Sequence, residues 1–168
     1  IMYNSFTIAP LPRFRDLLFA VLRKKKSDID LAQPWLKDGD RSAWLSRSAW
    51  SLKVIADWRI AITKKKISVW VPEFFCNTSL TPLRESDIDL FFYKVTDALE
   101  PDIEWCQQNA NTSRPDLFLL VHYFGQTIPT PNTVSFCKNI GAWLIEDGAH
   151  VLQSLPGIGD AGDFVLYS

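Results

Sequence analysis

Five short runs, at residues 67–71, 90–95, 117–123, 142–145 and 164–167, are almost wholly apolar and rich in β-branched and aromatic side chains. Strands with one wet face alternate apolar and polar residues, so unbroken apolar runs indicate strands covered on both faces. Pro72 stops the first run, since a proline cannot donate to a central ladder. Between the runs, residues 77–84, 102–109 and 133–140 read as helical or looped crossovers. Repeated strand, crossover and strand units predict an α/β fold: three αβα layers around a mostly parallel sheet. Ligands of such sheets bind beyond the carboxyl ends of the strands, which makes those residues the ones to read for chemistry.

Ahead of the sheet, residues 13–25 predict an amphipathic helix with Phe14, Leu17, Leu18, Val21 and Leu22 on one face, followed by the basic cluster Arg23 to Lys26. Packing on a neighbouring domain or subunit is favoured over a membrane surface for it. The turn-like Lys37-Asp38-Gly39-Asp40 ends this arm, so residues 1–44 are read as arm and helix, and 45–168 as the main domain. A second helix is expected from Ser48, as a capping residue, to about Lys64, with Leu52, Ile55, Ala56 and Ile60 inward. Lys64, Lys65 and Lys66 read as its solvated end.

Eighteen basic and nineteen acidic residues leave a net charge of -1, so no field draws in nucleic acid. The six apolar residues 17–22 are too few to span a bilayer. Cys76, Cys106 and Cys137 form no C-x-x-C pair, so neither a metal site nor a disulfide framework is expected, and a reducing cytoplasm is the natural compartment.

The expected strand ends carry Pro72-Glu73-Phe74-Phe75-Cys76-Asn77, His122-Tyr123-Phe124-Gly125-Gln126, Glu146-Asp147-Gly148-Ala149-His150 and Ser168. A carboxylate at a buried strand end is costly unless something positive or hydrogen-bonding meets it. Asp147 could serve by capping a following helix or by facing a bound cation or protonated heterocycle. Glu146 reads as a surface or structural carboxylate, and His150 alone as a packing histidine or a ligand.

Taken in order, Ile145-Glu146-Asp147-Gly148-Ala149-His150 and then Gly162-Asp163-Phe164-Val165-Leu166-Tyr167-Ser168 resemble the nucleotide-sugar aminotransferases of the DegT/StrS type, fold-type-I enzymes dependent on pyridoxal 5'-phosphate (PLP). Val121-His122-Tyr123-Phe124-Gly125-Gln126, and Val71-Pro72 with Phe74, are similar to further segments of that family, extending the resemblance over about residues 45–168. The resemblance implies the large PLP-binding domain, incomplete at its C-terminal side. It makes Asp147 the partner of the ring nitrogen, places His150 near the phenolic oxygen, and gives Ser168 and the backbone amides of Ser48, Ala49 and Trp50 to the phosphate. Ser48-Ala49 stands where the family has glycine followed by threonine or serine. Cys76 falls at the ring-covering position and Phe75 beside it, with Phe75 preferred for its flat face. His122 is a candidate rim contact to substrate. The Schiff-base lysine is expected a few residues beyond Ser168, outside this sequence. The implied reaction moves an amino group from an amino acid to a keto-sugar in a homodimer. A PLP-dependent sugar dehydratase is the alternative within the family, and a non-catalytic α/β binding or scaffold module the alternative outside it.

Overall fold

The computed structural model describes residues 13–22, 31–152 and 154–168. The chain divides into two units, residues 1–42 and 43–168. In the first, α1 spans Phe14–Leu22, and its Phe14, Leu17, Leu18, Val21 and Leu22 are all exposed. Residues 23–25 of the expected helix, and the basic cluster, lie outside the described residues.

The second unit is an α/β domain. Its elements are α2 (Ser48–Thr63), β1 (Ile67–Pro72), a 3-10 turn leading into the short α3 (Thr81–Arg84), β2 (Ile88–Tyr93), α4 (Ile103–Asn109), β3 (Leu117–Val121), α5 (Pro131–Ile140), β4 (Trp143–Asp147) and β5 (Phe164–Leu166). The five strands are ordered β2-β1-β3-β4-β5 and every pairing is parallel.

Side chains alternate across a strand, so each strand feeds two cores. Leu117, Leu119 and Val121 of β3 join Val69, Val71 and Ile145 beneath Leu52, Ile55 and Ala56 of α2 and Leu83 of α3. Phe118 and Leu120 turn the other way, to Trp70, Leu144, Cys106 of α4 and Phe136 of α5. This is why the runs read as apolar throughout: both faces are covered. Burying a core leucine or phenylalanine contributes roughly 1.5–3 kcal/mol, and the central β3 is buried at all five positions.

The strand order places the site. From β1 the chain steps to β2 on one side and then crosses to β3 on the other, so the crossovers diverge between β1 and β3 and leave a crevice at their carboxyl ends. Near the far end of α2, Arg59 holds the helix to the sheet by donating to the Gly141 carbonyl (2.7 Å) and lying 4.6 Å over the Trp143 ring.

Candidate functional site

A cavity of about 500 Å³ opens at that crevice, walled by Phe74, Phe75 and Cys76 after β1, Val121 and Tyr123 at the end of β3, and Asp147, Ala149 and His150 at the end of β4. Ser48 at the start of α2, Ser79, Phe124 and Ser168 complete the wall. The topology thus brings Ser48, Phe75, Asp147, His150 and Ser168 to one cavity from four segments.

Asp147 is 5% exposed. Its Oδ1 accepts the Ala149 amide (2.9 Å), a local turn rather than a cap, because no helix follows β4 among the described residues. No hydrogen bond reaches its second oxygen from the described residues. Burial raises the carboxyl above its ordinary 3.8, against the lowering effects of the Ala149 amide and the two histidines. A buried carboxylate with one free oxygen on a cavity is short of a positive or hydrogen-donating partner.

His122 does not reach the rim. Its side chain is fully buried; Nδ1 accepts the Ile128 amide at 3.1 Å and Nε2 lies 2.9 Å from Glu146 Oε2. Alternation explains the correction: residue 122 faces away from the cavity that Val121 and Tyr123 line. Glu146, equally buried, also accepts the amides of Gly159 (2.7 Å), Ala161 (3.0 Å) and Gly162 (2.6 Å). Burial would raise this carboxyl, but the His122 and amide hydrogen bonds outweigh it and hold Glu146 below its ordinary 4.5. It is a structural carboxylate that ties the β4–β5 connection to the sheet.

At the opposite wall Ser48 is the first helical residue, not the cap; Arg47 takes that place without a side-chain hydrogen bond. The start of a 16-residue helix therefore faces the cavity with uncapped amides, a ready site for an anion. The expected set of three amides is reduced, because the Trp50 amide donates to the Arg47 carbonyl (3.0 Å) as the first turn closes. Ser48 and Ala49 keep theirs, and of the three side chains Ser48 alone lines the cavity. Lys64, which ends α2, is about 24 Å along the helix axis from Ser48 at 1.5 Å per residue, too far to serve the cavity.

His150 is held by a strained neighbour. Phe124 adopts φ 54, a left-handed conformation that costs a bulky residue roughly 1–3 kcal/mol. That backbone donates the Phe124 amide to His150 Nδ1 (3.1 Å), and the Phe124 ring stacks on the imidazole at 5.8 Å. In the neutral ring the proton accordingly sits on Nε2. Tyr123 donates its hydroxyl to the Phe74 carbonyl (2.5 Å), clamping the β1 and β3 ends together, and burial followed by the nearby Asp147 charge pushes its phenol well up.

Phe74, Phe75 and Cys76 all reach the cavity. Tyr123, Phe124 and Ser79 were not anticipated as wall residues. The strand-end position of Tyr123 and Phe124 was the available signal; Ser79 had none.

No protein-family profile matches the chain, and no curated protein does. Solved structures match the fold. The Escherichia coli GDP-4-keto-6-deoxy-D-mannose-3-dehydratase with bound hydrated PLP superposes with a TM-score of 0.61 at 16% identity, covering 86% of this chain and 40% of that one. The aminotransferase TlmJ of Streptoalloteichus hindustanus gives 0.54 at 17%, covering 69% and 33%. DesV of S. venezuelae gives 0.53 at 16%, over the same shares. The chain thus spans a third to two-fifths of the length of these enzymes. A sphingosine-1-phosphate lyase of Burkholderia pseudomallei also matches, at 0.51 and 10%, covering 61% and 24%, so the architecture alone does not set the reaction. What the likeness establishes is the fold: an α/β domain with a five-stranded parallel sheet, shared with these enzymes.

Proposed function

We propose that this chain supplies the PLP-binding part of an aminotransferase that moves an amino group from an amino acid to a keto-sugar. The observation that carries the reading is the free oxygen of the buried Asp147 on the cavity. A protonated pyridine nitrogen fits it: at about 4 Å and an effective dielectric near 20 an ion pair is worth about 4 kcal/mol before desolvation. The uncapped start of α2, with Ser48 and Ser168 in the same wall, suits a phosphate at the other end. His150, with its Nε2 proton free, is a donor for an oxygen between them. Phe75 and Cys76 are the candidates to cover a flat ring.

When bound, PLP supplies an electron sink for the carbanion left at an amino acid's α-carbon. The chain's own contribution is to hold the nitrogen proton at Asp147, fix the Nε2 donor of His150 and orient an anion at α2. Mixing the purified chain with PLP and recording its visible spectrum tests this. Saturable binding that weakens about 100-fold in Asp147→Asn is expected, a loss of roughly 2.7 kcal/mol. Absence of binding, or equal binding by the variant, sinks the reading.

A further inference from the structure

The fold treats its three thiols very differently. Cys106 and Cys137 are buried in the core between the sheet and helices α4 and α5, and burial pushes both up to about 12. Cys76 is exposed in the wall of the cavity. Its Sγ lies 3.1 Å from Thr78 Oγ1, and hydrogen bonding by Thr78 and then Ser79 lowers the thiol to about 7. The lowering favours the thiolate, the form that attacks electrophiles. The same cavity holds the free oxygen of Asp147, a side chain only 5% exposed, so the space in front of this thiol is built to receive a polar molecule.

We infer that Cys76 is a thiol-modification site inside the ligand cavity, open to low-molecular-weight disulfides of the glutathione class, and that its adduct and PLP exclude one another. The second half rests on the cofactor reading above; the first does not. In the exchange the Cys76 thiolate attacks one sulfur of the disulfide. A new S–S bond forms as the old one breaks, and the departing sulfur leaves as a thiolate that takes a proton from water. Cys76 is oxidised and half of the disulfide is reduced. An adduct of tripeptide size would take up much of the cavity that Cys76 and Phe75 both line.

The test is incubation of the whole chain with glutathione disulfide, with and without saturating PLP. Peptide mass spectrometry follows each cysteine, and visible absorbance reports bound PLP in the same samples. Cys76 is expected to react at least about 100-fold faster than Cys106 or Cys137, because it is exposed while both of the others are buried in the core. Bound PLP is expected to slow Cys76 several-fold. In Thr78→Val the pH midpoint of the reaction should move upward. Equal reaction of the three thiols, or an unmoved midpoint, overturns the modification site. An unchanged Cys76 rate in a sample whose absorbance shows bound PLP overturns the exclusion. Selective reaction of Cys76 in a chain that shows no PLP binding overturns the cofactor reading instead and leaves the reactive thiol supported.

Discussion

His122 Nε2 lies 2.9 Å from Glu146 Oε2 with both side chains fully buried, joining the end of β3 to the end of β4 beneath the cavity floor. Because Ile128 donates to Nδ1, a neutral His122 presents its Nε2 proton to the carboxylate. Glu146 and Asp147 are neighbours on one strand and must face opposite ways. The first is satisfied by four donors and organises the loop; the second is left one donor short, facing the cavity.

Removing Glu146 should therefore damage the fold more than any other single change near the site. Glu146→Ala leaves the buried His122 and three half-buried amides without an acceptor, and a cost of about 3–5 kcal/mol is expected. Urea unfolding measures it. A loss under about 1 kcal/mol would show that the β4–β5 loop is held by something else.

The same carboxylate sets an acid limit. Its pKa is depressed in the folded state, so its stabilisation is fully present above the ordinary 4.5 and is lost as pH falls through the folded value. Melting temperature followed from neutral pH down into acid should drop below about 4.5 in the wild type and less steeply in Glu146→Gln. Parallel curves would refute the assignment.

Asp147 carries the opposite sign. Burial raises its pKa, so it opposes folding increasingly as pH rises from the ordinary 3.8 through the folded value, and the cost is complete above it. Asp147→Asn should leave the unliganded chain as stable at neutral pH or more so, even though PLP affinity falls. Calorimetry without PLP checks this; a lower melting temperature in the variant would mean that Asp147 is a structural residue.

Gly148 follows Asp147 at a position where a larger residue has no room. A Cβ there would lie 3.0 Å from Tyr167 Cε1 and 3.2 Å from the Leu166 carbonyl oxygen. Gly148→Ala should cost about 1–3 kcal/mol and weaken PLP binding by moving the Tyr167-Ser168 segment. Thermal melts and a PLP titration read the two effects. Unchanged values in both would show that Tyr167 yields freely.

The layered sheet was legible because it is written in local pattern. Apolar runs bounded by Pro72 and polar turns located all five strands, and Leu52, Ile55 and Ala56 marked the inner face of α2. Boundaries were less legible: β4 continues to Asp147, and Pro131 opens α5 ahead of the expected Thr133, since proline suits a first helical turn. Of the site, Asp147, His150, Ser48, Phe75 and Ser168 were readable as strand-end or helix-start residues that could converge.

The sequence by itself determined the class of fold and which residues stand at strand ends, because strand periodicity and turn chemistry act over a few residues. Only the tertiary structure decided which of those residues meet the cavity. Whether His122 faces solvent or Glu146, whether the Trp50 amide is free or bound to Arg47, and whether Cys76 is reactive or buried like Cys106 all depend on partners distant in sequence or on the direction of one backbone turn. Such partners are set by how strands pair and helices pack, and a linear pattern does not record them.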